Sequence, residues 1–150
     1  MADRYTHFTN LAYTGKLAYG EKGSEVPIAA GWDPATSTIT VGTESSNVVN
    51  VAVQFNDVTA TAMTEPVSAF IYFSDDALGQ TVTSDPFDTL AVGTDGTIIV
   101  AYTAGAVVQA VSEADGDLDL DCTQSAADTV YMNIVAPDGT LLTSSVLTFT

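Results

Sequence analysis

Residues 117–122 read Asp117-Leu118-Asp119-Leu120-Asp121-Cys122, with acidic and apolar side chains in strict alternation. A period of two is the period of a strand, whose successive side chains point to opposite faces. In a helix the same residues would scatter carboxylates around the surface and leave no apolar stripe. The stretch therefore predicts a half-buried strand, with Leu118, Leu120 and Cys122 inward. Upstream, Val49, Val51, Val53 and Phe55 alternate in the same way with Asn50, Ala52, Gln54 and Asn56. Pro66 opens Val67-Ser68-Ala69-Phe70-Ile71-Tyr72-Phe73, and segments 107–111, 130–135 and 141–149 add further strands. The run from Thr97 to Thr103 is continuously apolar, as expected for a strand covered on both faces. Asp95-Gly96, Asp115-Gly116 and Asp138-Gly139 mark turns. No stretch keeps helical spacing for three turns. Strands spaced near ten residues predict an all-β, Greek-key β-sandwich, Ig-like or jelly-roll-like, with an N-terminal arm.

Composition narrows the function classes. The chain has 150 residues, 3 Lys+Arg against 19 Asp+Glu, and a formal charge of −16. Phosphate contacts need clustered Lys and Arg, so a nucleic-acid surface is excluded. Anionic lipid is disfavoured for the same reason. One Cys excludes a disulfide framework, and one His excludes a multi-histidine metal site. A hydrophobic fraction of 46% excludes a disordered acidic tail. No apolar run approaches the roughly 20 residues that span a bilayer. The first residues carry no apolar core of a leader, so the chain is expected to be soluble and made in the cytoplasm.

Charge is distributed unevenly. All three bases, Arg4, Lys16 and Lys22, lie in residues 1–22, together with two acids, Asp3 and Glu21. The other 17 of the 19 acids follow, with no Lys or Arg among them. Residues 25–47 are rich in Pro, Gly and polar residues. This predicts an arm over residues 1–45, for docking or oligomerisation, and a β-sandwich over residues 46–150. Arg4, Tyr5, Phe8, Tyr13, Lys16, Tyr19, Lys22 and Trp32 are its candidate interface residues, since aromatics and the only positive charges suit docking onto another protein.

Candidate chemistry is sparse. Glu113, Asp115, Asp117, Asp119 and Asp121 share the odd-numbered face, and several carboxylates on one face are what a Ca²⁺ ion requires. Asp115, Asp117 and Asp119 match the first ligands of an EF-hand loop. Position six, however, is Leu120 rather than Gly, and position twelve is Ala126 rather than Glu. A solvated strand face that deters edge pairing is the simpler reading. Asp75, Asp76, Asp85 and Asp88 read as loop acids, and His7 lacks a nucleophile-elbow partner. Cys122 reads as a small buried hydrophobe with no positive neighbour to activate it. No nucleophile, base and oxyanion donor occur together, so neither an enzyme nor a cofactor is expected.

Two resemblances carry further implications. Ser125-Ala126-Ala127-Asp128-Thr129-Val130-Tyr131 resembles the corner before a late strand of immunoglobulin-like domains, where the tyrosine bonds back to the backbone. The position of that family's second cysteine is Asn133, so the resemblance is to a disulfide-free sandwich. Separately, Phe8-Thr9-Asn10-Leu11-Ala12-Tyr13-Thr14-Gly15-Lys16-Leu17 resembles the opening of tailed-bacteriophage head proteins. Val67 to Asp76, Ala91 to Thr97, Val111 to Leu120, Val130-Tyr131 and Ala136 to Leu141 resemble the all-β domain of capsid decoration (cement) and head-fibre proteins. The resemblance implies a virion structural protein on the outer capsid surface. Its partners would be the major capsid protein and further copies of itself, as a dimer or trimer. It would stabilise the head, with no catalytic residue to carry over. The alternatives are a low-copy head or tail fibre or adaptor protein, and a Ca²⁺-dependent Ig-like adhesive or carbohydrate-binding module.

Overall fold

The structure, a computed structural model, describes residues 31–150 and, before them, the backbone of two short strands. These are β1 (Ala18–Tyr19) and β2 (Val26–Pro27), paired antiparallel within a separate unit of residues 1–30. The second unit, residues 31–150, holds ten strands. They are β3 (Thr38–Val41), β4 (Val48–Gln54), β5 (Ser68–Ser74), β6 (Thr89–Val92), β7 (Thr97–Thr103), β8 (Val107–Val111), β9 (Asp117–Thr123), β10 (Asp128–Val135), β11 (Leu141–Thr143) and β12 (Leu147–Phe149).

All pairings are antiparallel, and they build two sheets. The first sheet runs β3-β4-β9-β6, and the second runs β11-β10-β5-β8-β7, with β12 also on β10. Each sheet must bury its apolar face, and the two faces bury each other. Val49, Val51 and Val53 of β4 and Leu118, Leu120 and Cys122 of β9 face inward from the first sheet. Ala69, Ile71 and Phe73 of β5 and Val130, Met132 and Ile134 of β10 face them from the second. The alternation legible in the sequence is thus the inside and outside of a β-sandwich. Gly96, Gly116 and Gly139 of the three Asp-Gly turns all have positive φ, the conformation such turns demand.

The β11–β12 edge contains a one-residue irregularity. Thr143 lies opposite Asn133, but Leu147 lies opposite Val130, so the register slips by one between them. Ser144 bridges the slip. Its amide donates to Met132 O at 2.9 Å, and its hydroxyl accepts from the Met132 amide at 2.9 Å. A side-chain oxygen replaces the backbone acceptor that the bulge displaces.

Four sequence expectations change here. The sandwich begins at Gly31 rather than at residue 46. The reason is that β3 pairs along Val51–Gln54 and Trp32 sits in the core. Trp32, expected at an interface, is only 6% exposed and packs edge-on to Phe55 at 4.9 Å. Strand β7, expected to be covered on both faces, is the open edge of the second sheet, with Ile99 60% and Tyr102 59% exposed. An apolar run reads the same in a doubly covered strand and in an uncovered one. The immunoglobulin-like corner is not formed either: the Tyr131 hydroxyl makes no hydrogen bond among the described residues.

Candidate functional site

The two sheets turn chemically opposite surfaces outward. On the first sheet, β9 presents Asp117, Asp119 and Asp121, half-buried, while its alternate residues fill the core. Across the ladder they face Gln54, Ala52 and Asn50, so no like charge stands directly opposite on β4. Neutral donors hold the carboxylates. Asn50 Nδ2 donates to Asp121 Oδ1 at 2.9 Å, and Thr94 Oγ1 to Asp119 Oδ2 at 2.6 Å. Partial burial raises the Asp117 carboxyl above the usual range, and the charges of Asp115, Asp95 and Asp119 add to this.

Glu113 and Asp115 lie in the β8–β9 turn rather than on the strand face. Glu113 Oε1 accepts the Gly96 amide at 3.4 Å, and Asp115 Oδ1 accepts the Asp117 amide at 3.4 Å. Among the described residues no three acidic, His or Cys side chains converge to hold a metal ion. A groove of about 150 Å³ runs between Thr38, Thr40, Gln54, Asp95, Asp117 and Asp119. Small-molecule pockets begin near 300 Å³, so this groove does not enclose an organic ligand.

The loop acids have structural work. Asp76 folds its carboxylate back over its own loop and accepts amides of Leu78 at 2.9 Å, Gln80 at 3.1 Å and Thr81 at 2.8 Å. The bond from Gln80 leads the set that holds its carboxyl below the usual range. Asp75 accepts from Ser84, and Asp88 accepts the Ser125 amide at 2.8 Å. Burial pushes the Cys122 thiol well up, as expected of an inert core residue. His7, Arg4, Tyr5, Phe8, Tyr13, Lys16 and Lys22 lie outside the described residues, as does the side chain of Tyr19.

A pH dependence follows from Asp76. A lowered native pKa contributes stability above the unfolded value, about 3.9, and loses it as pH falls through the native one. Asp76→Asn is expected to lower Tm at pH 7, because an amide is a poorer acceptor for three N–H groups. It should also make the loss of Tm below about pH 4 shallower. Thermal melts of both proteins from neutral to acid pH check this; parallel curves would contradict it.

The second sheet's outer surface is the opposite of the first. Strands β5, β7 and β8 contain no charged residue, and the rest of that sheet has one, Asp128 at the start of β10. Ser68, Phe70 and Tyr72 of β5 stand across from Val111, Gln109 and Val107 of β8. Phe70 and Tyr102 are in ring contact at 5.8 Å. The polar atoms there bond to each other. Tyr102 Oη donates to Gln109 Oε1 at 3.0 Å, and Gln109 Nε2 donates to Ser68 Oγ at 2.9 Å. Tyr72 Oη donates to Gly79 O at 2.7 Å, and Asn133 Nδ2 donates to Ser74 Oγ at 2.7 Å. Sequence reasoning missed this face because β3, β4, β6, β11 and β12 are equally uncharged, and only the pairing order places β5, β8 and β7 side by side.

Comparison with known proteins adds the following. No family model matches the chain, and no curated protein matches it. Among solved structures the chain is similar to a cohesin module from a Clostridium perfringens family 33 glycoside hydrolase. That match has 15% identity and a TM-score of 0.32, and covers 75% of this chain and 91% of the other. It is also similar to the GAE domain of GGA2p from Saccharomyces cerevisiae. There the identity is 10% and the TM-score 0.27, with 90% of this chain and 97% of the other covered. Neither likeness is strong enough to carry an argument about function.

Proposed function

We propose that the chain is a non-enzymatic structural protein that binds the outside of a multi-copy protein shell and stabilises it. The setting is the one its sequence resembles, a bacteriophage capsid with its major capsid protein as partner. The observation that supports this is the opposition of the two outer faces. A protein that coats a shell needs one surface suited to water and another suited to protein. The acidic face of β9 remains hydrated and repels further anionic material. The charge-depleted, aromatic-bearing face of β5, β7 and β8 has the composition of protein contact surfaces, and in a coat it suits contact between neighbouring copies. Residues 1–22, with all three bases, suit contact with the shell through charge.

The test is the copy number of the chain relative to the shell protein in purified particles. A ratio fixed by the icosahedral lattice is expected. A handful of copies would replace the coating role by a fibre or adaptor. Absence from particles would overturn the virion assignment altogether.

A further inference from the structure

We infer that the outer surface spanning β5, β8 and β7 is a self-association face, and that its occupant is the same face of a second copy of this chain. Such pairing would hold whether or not a shell is the larger partner. Four observations lead to it.

The first is charge. From residue 23 onward the chain carries 17 acids and no Lys or Arg. Two copies meeting through acid-bearing surfaces would repel with no base to compensate. The β5–β8–β7 surface is free of that repulsion. A two-fold contact sets one patch against itself, so the patch must be complementary to itself. An uncharged surface of aromatic and β-branched side chains meets that condition, and an acidic one does not.

The second is desolvation. Burying a polar group without a partner is costly. Here Tyr102, Gln109 and Ser68 already bond to one another in a chain along the surface. Water can leave this face without orphaning those bonds.

The third is the kind of contact. Strand β7 is an open edge, but its register shifts twice, between Ile98 and Val100 and between Ala101 and Thr103. Those irregularities break the even row of backbone groups that edge-to-edge pairing would need. Packing through side chains, with Phe70 and Tyr102 at the centre and Ile99 at the rim, is what remains.

The fourth is area. Ile99, Val100, Tyr102 and Phe70 together expose on the order of 400 Å² of largely apolar surface, within the roughly 300–600 Å² of a typical monomer's largest patch, which is often functional. With the flanking outer positions of β8 the footprint is about 500–600 Å² per copy, so a pair buries about 1,000–1,200 Å². That reaches the lower bound for a specific interface, and so describes a dimer that dissociates on dilution.

The experiment is sedimentation equilibrium of the full chain from about 1 µM to about 500 µM, a span in which a contact of this size shifts its population. The wild type is expected to pass from one chain to two. The double variant Phe70→Lys/Tyr102→Lys, which places four unpaired ammonium groups in the paired interface, should weaken association by at least about 100-fold. Val146→Lys, an exposed apolar position on the β11–β12 edge, should leave it unchanged. If the double variant does not fold, Ile99→Lys carries the test, since Ile99 lies in the β7 irregularity and outside the paired register. A wild type monomeric throughout would overturn the proposal. So would variants that associate like wild type. A monomeric wild type whose Phe70 and Tyr102 become protected only in a mixed assembly would overturn it too, giving the face to another protein.

Discussion

Trp32→Ala is expected to destabilise the sandwich by about 3–5 kcal/mol, the usual cost of removing a buried Trp or Phe side chain. Trp32 is 6% exposed, and its ring meets Phe55 edge-on at 4.9 Å. The ring sits just ahead of a turn held by Asp33, whose carbonyl accepts the amides of Thr36 and Ser37. Ser37 then ties that turn to the segment just after β4, accepting the Asn56 amide on its hydroxyl at 2.9 Å. The indole thus joins the entry turn to the end of the core. Chemical denaturation of the full chain measures the loss. A change below about 0.5 kcal/mol, the range of surface substitutions, would mean that the folded unit does not need the Trp32 side chain.

Asn133→Leu is expected to cost about 2–4 kcal/mol, because it strips partners from buried groups without removing those groups. Asn133 is fully buried on β10, beneath the loop that follows β5. Its Nδ2 donates to Ser74 Oγ at 2.7 Å, and its Oδ1 accepts from Thr143 Oγ1 at 2.8 Å. Gly79 lies directly over it: a Cβ added at Gly79 would stand 2.8 Å from Asn133 Oδ1 and 2.6 Å from Tyr72 Oη. The loop, anchored by Asp76, is thus packed directly on the Asn133 amide, and a side chain at position 79 would not fit. Equilibrium unfolding gives the energy. Proteolysis within residues 75–83 gives a second readout, since a loosened loop is cut faster. A fully stable, protease-resistant Asn133→Leu would show that the network is incidental.

Much of the fold was legible because one periodicity decided it. The Asp-Leu alternation of residues 117–122 fixes which side chains of β9 are inward, and residues 49–55 repeat the pattern on β4, its partner in the sheet. Two errors came from residues whose local sequence carries no information on neighbours. Trp32 sits among Gly31 and Pro34, which read as loop, and its burial depends on Phe55 more than twenty positions away. The uncharged run Thr97–Thr103 signals apolar surface but not what covers it, since strand order within a sheet is set by the whole chain. The acidic series at 113–121 was visible at once, yet its chemistry depends on the spread of the carboxylates. Donors such as Asn50 and Thr94, far off in sequence, occupy two of them.

Contact with protein is proposed to run through the face of the second sheet, with the acidic face left to water. Amide hydrogen exchange of the full chain, measured below and above its association midpoint, tests this most directly. Added protection is expected in Ser68–Ser74, Thr97–Thr103 and Val107–Val111, with Asp117–Thr123 unchanged. Protection confined to Asp117–Thr123 would contradict it.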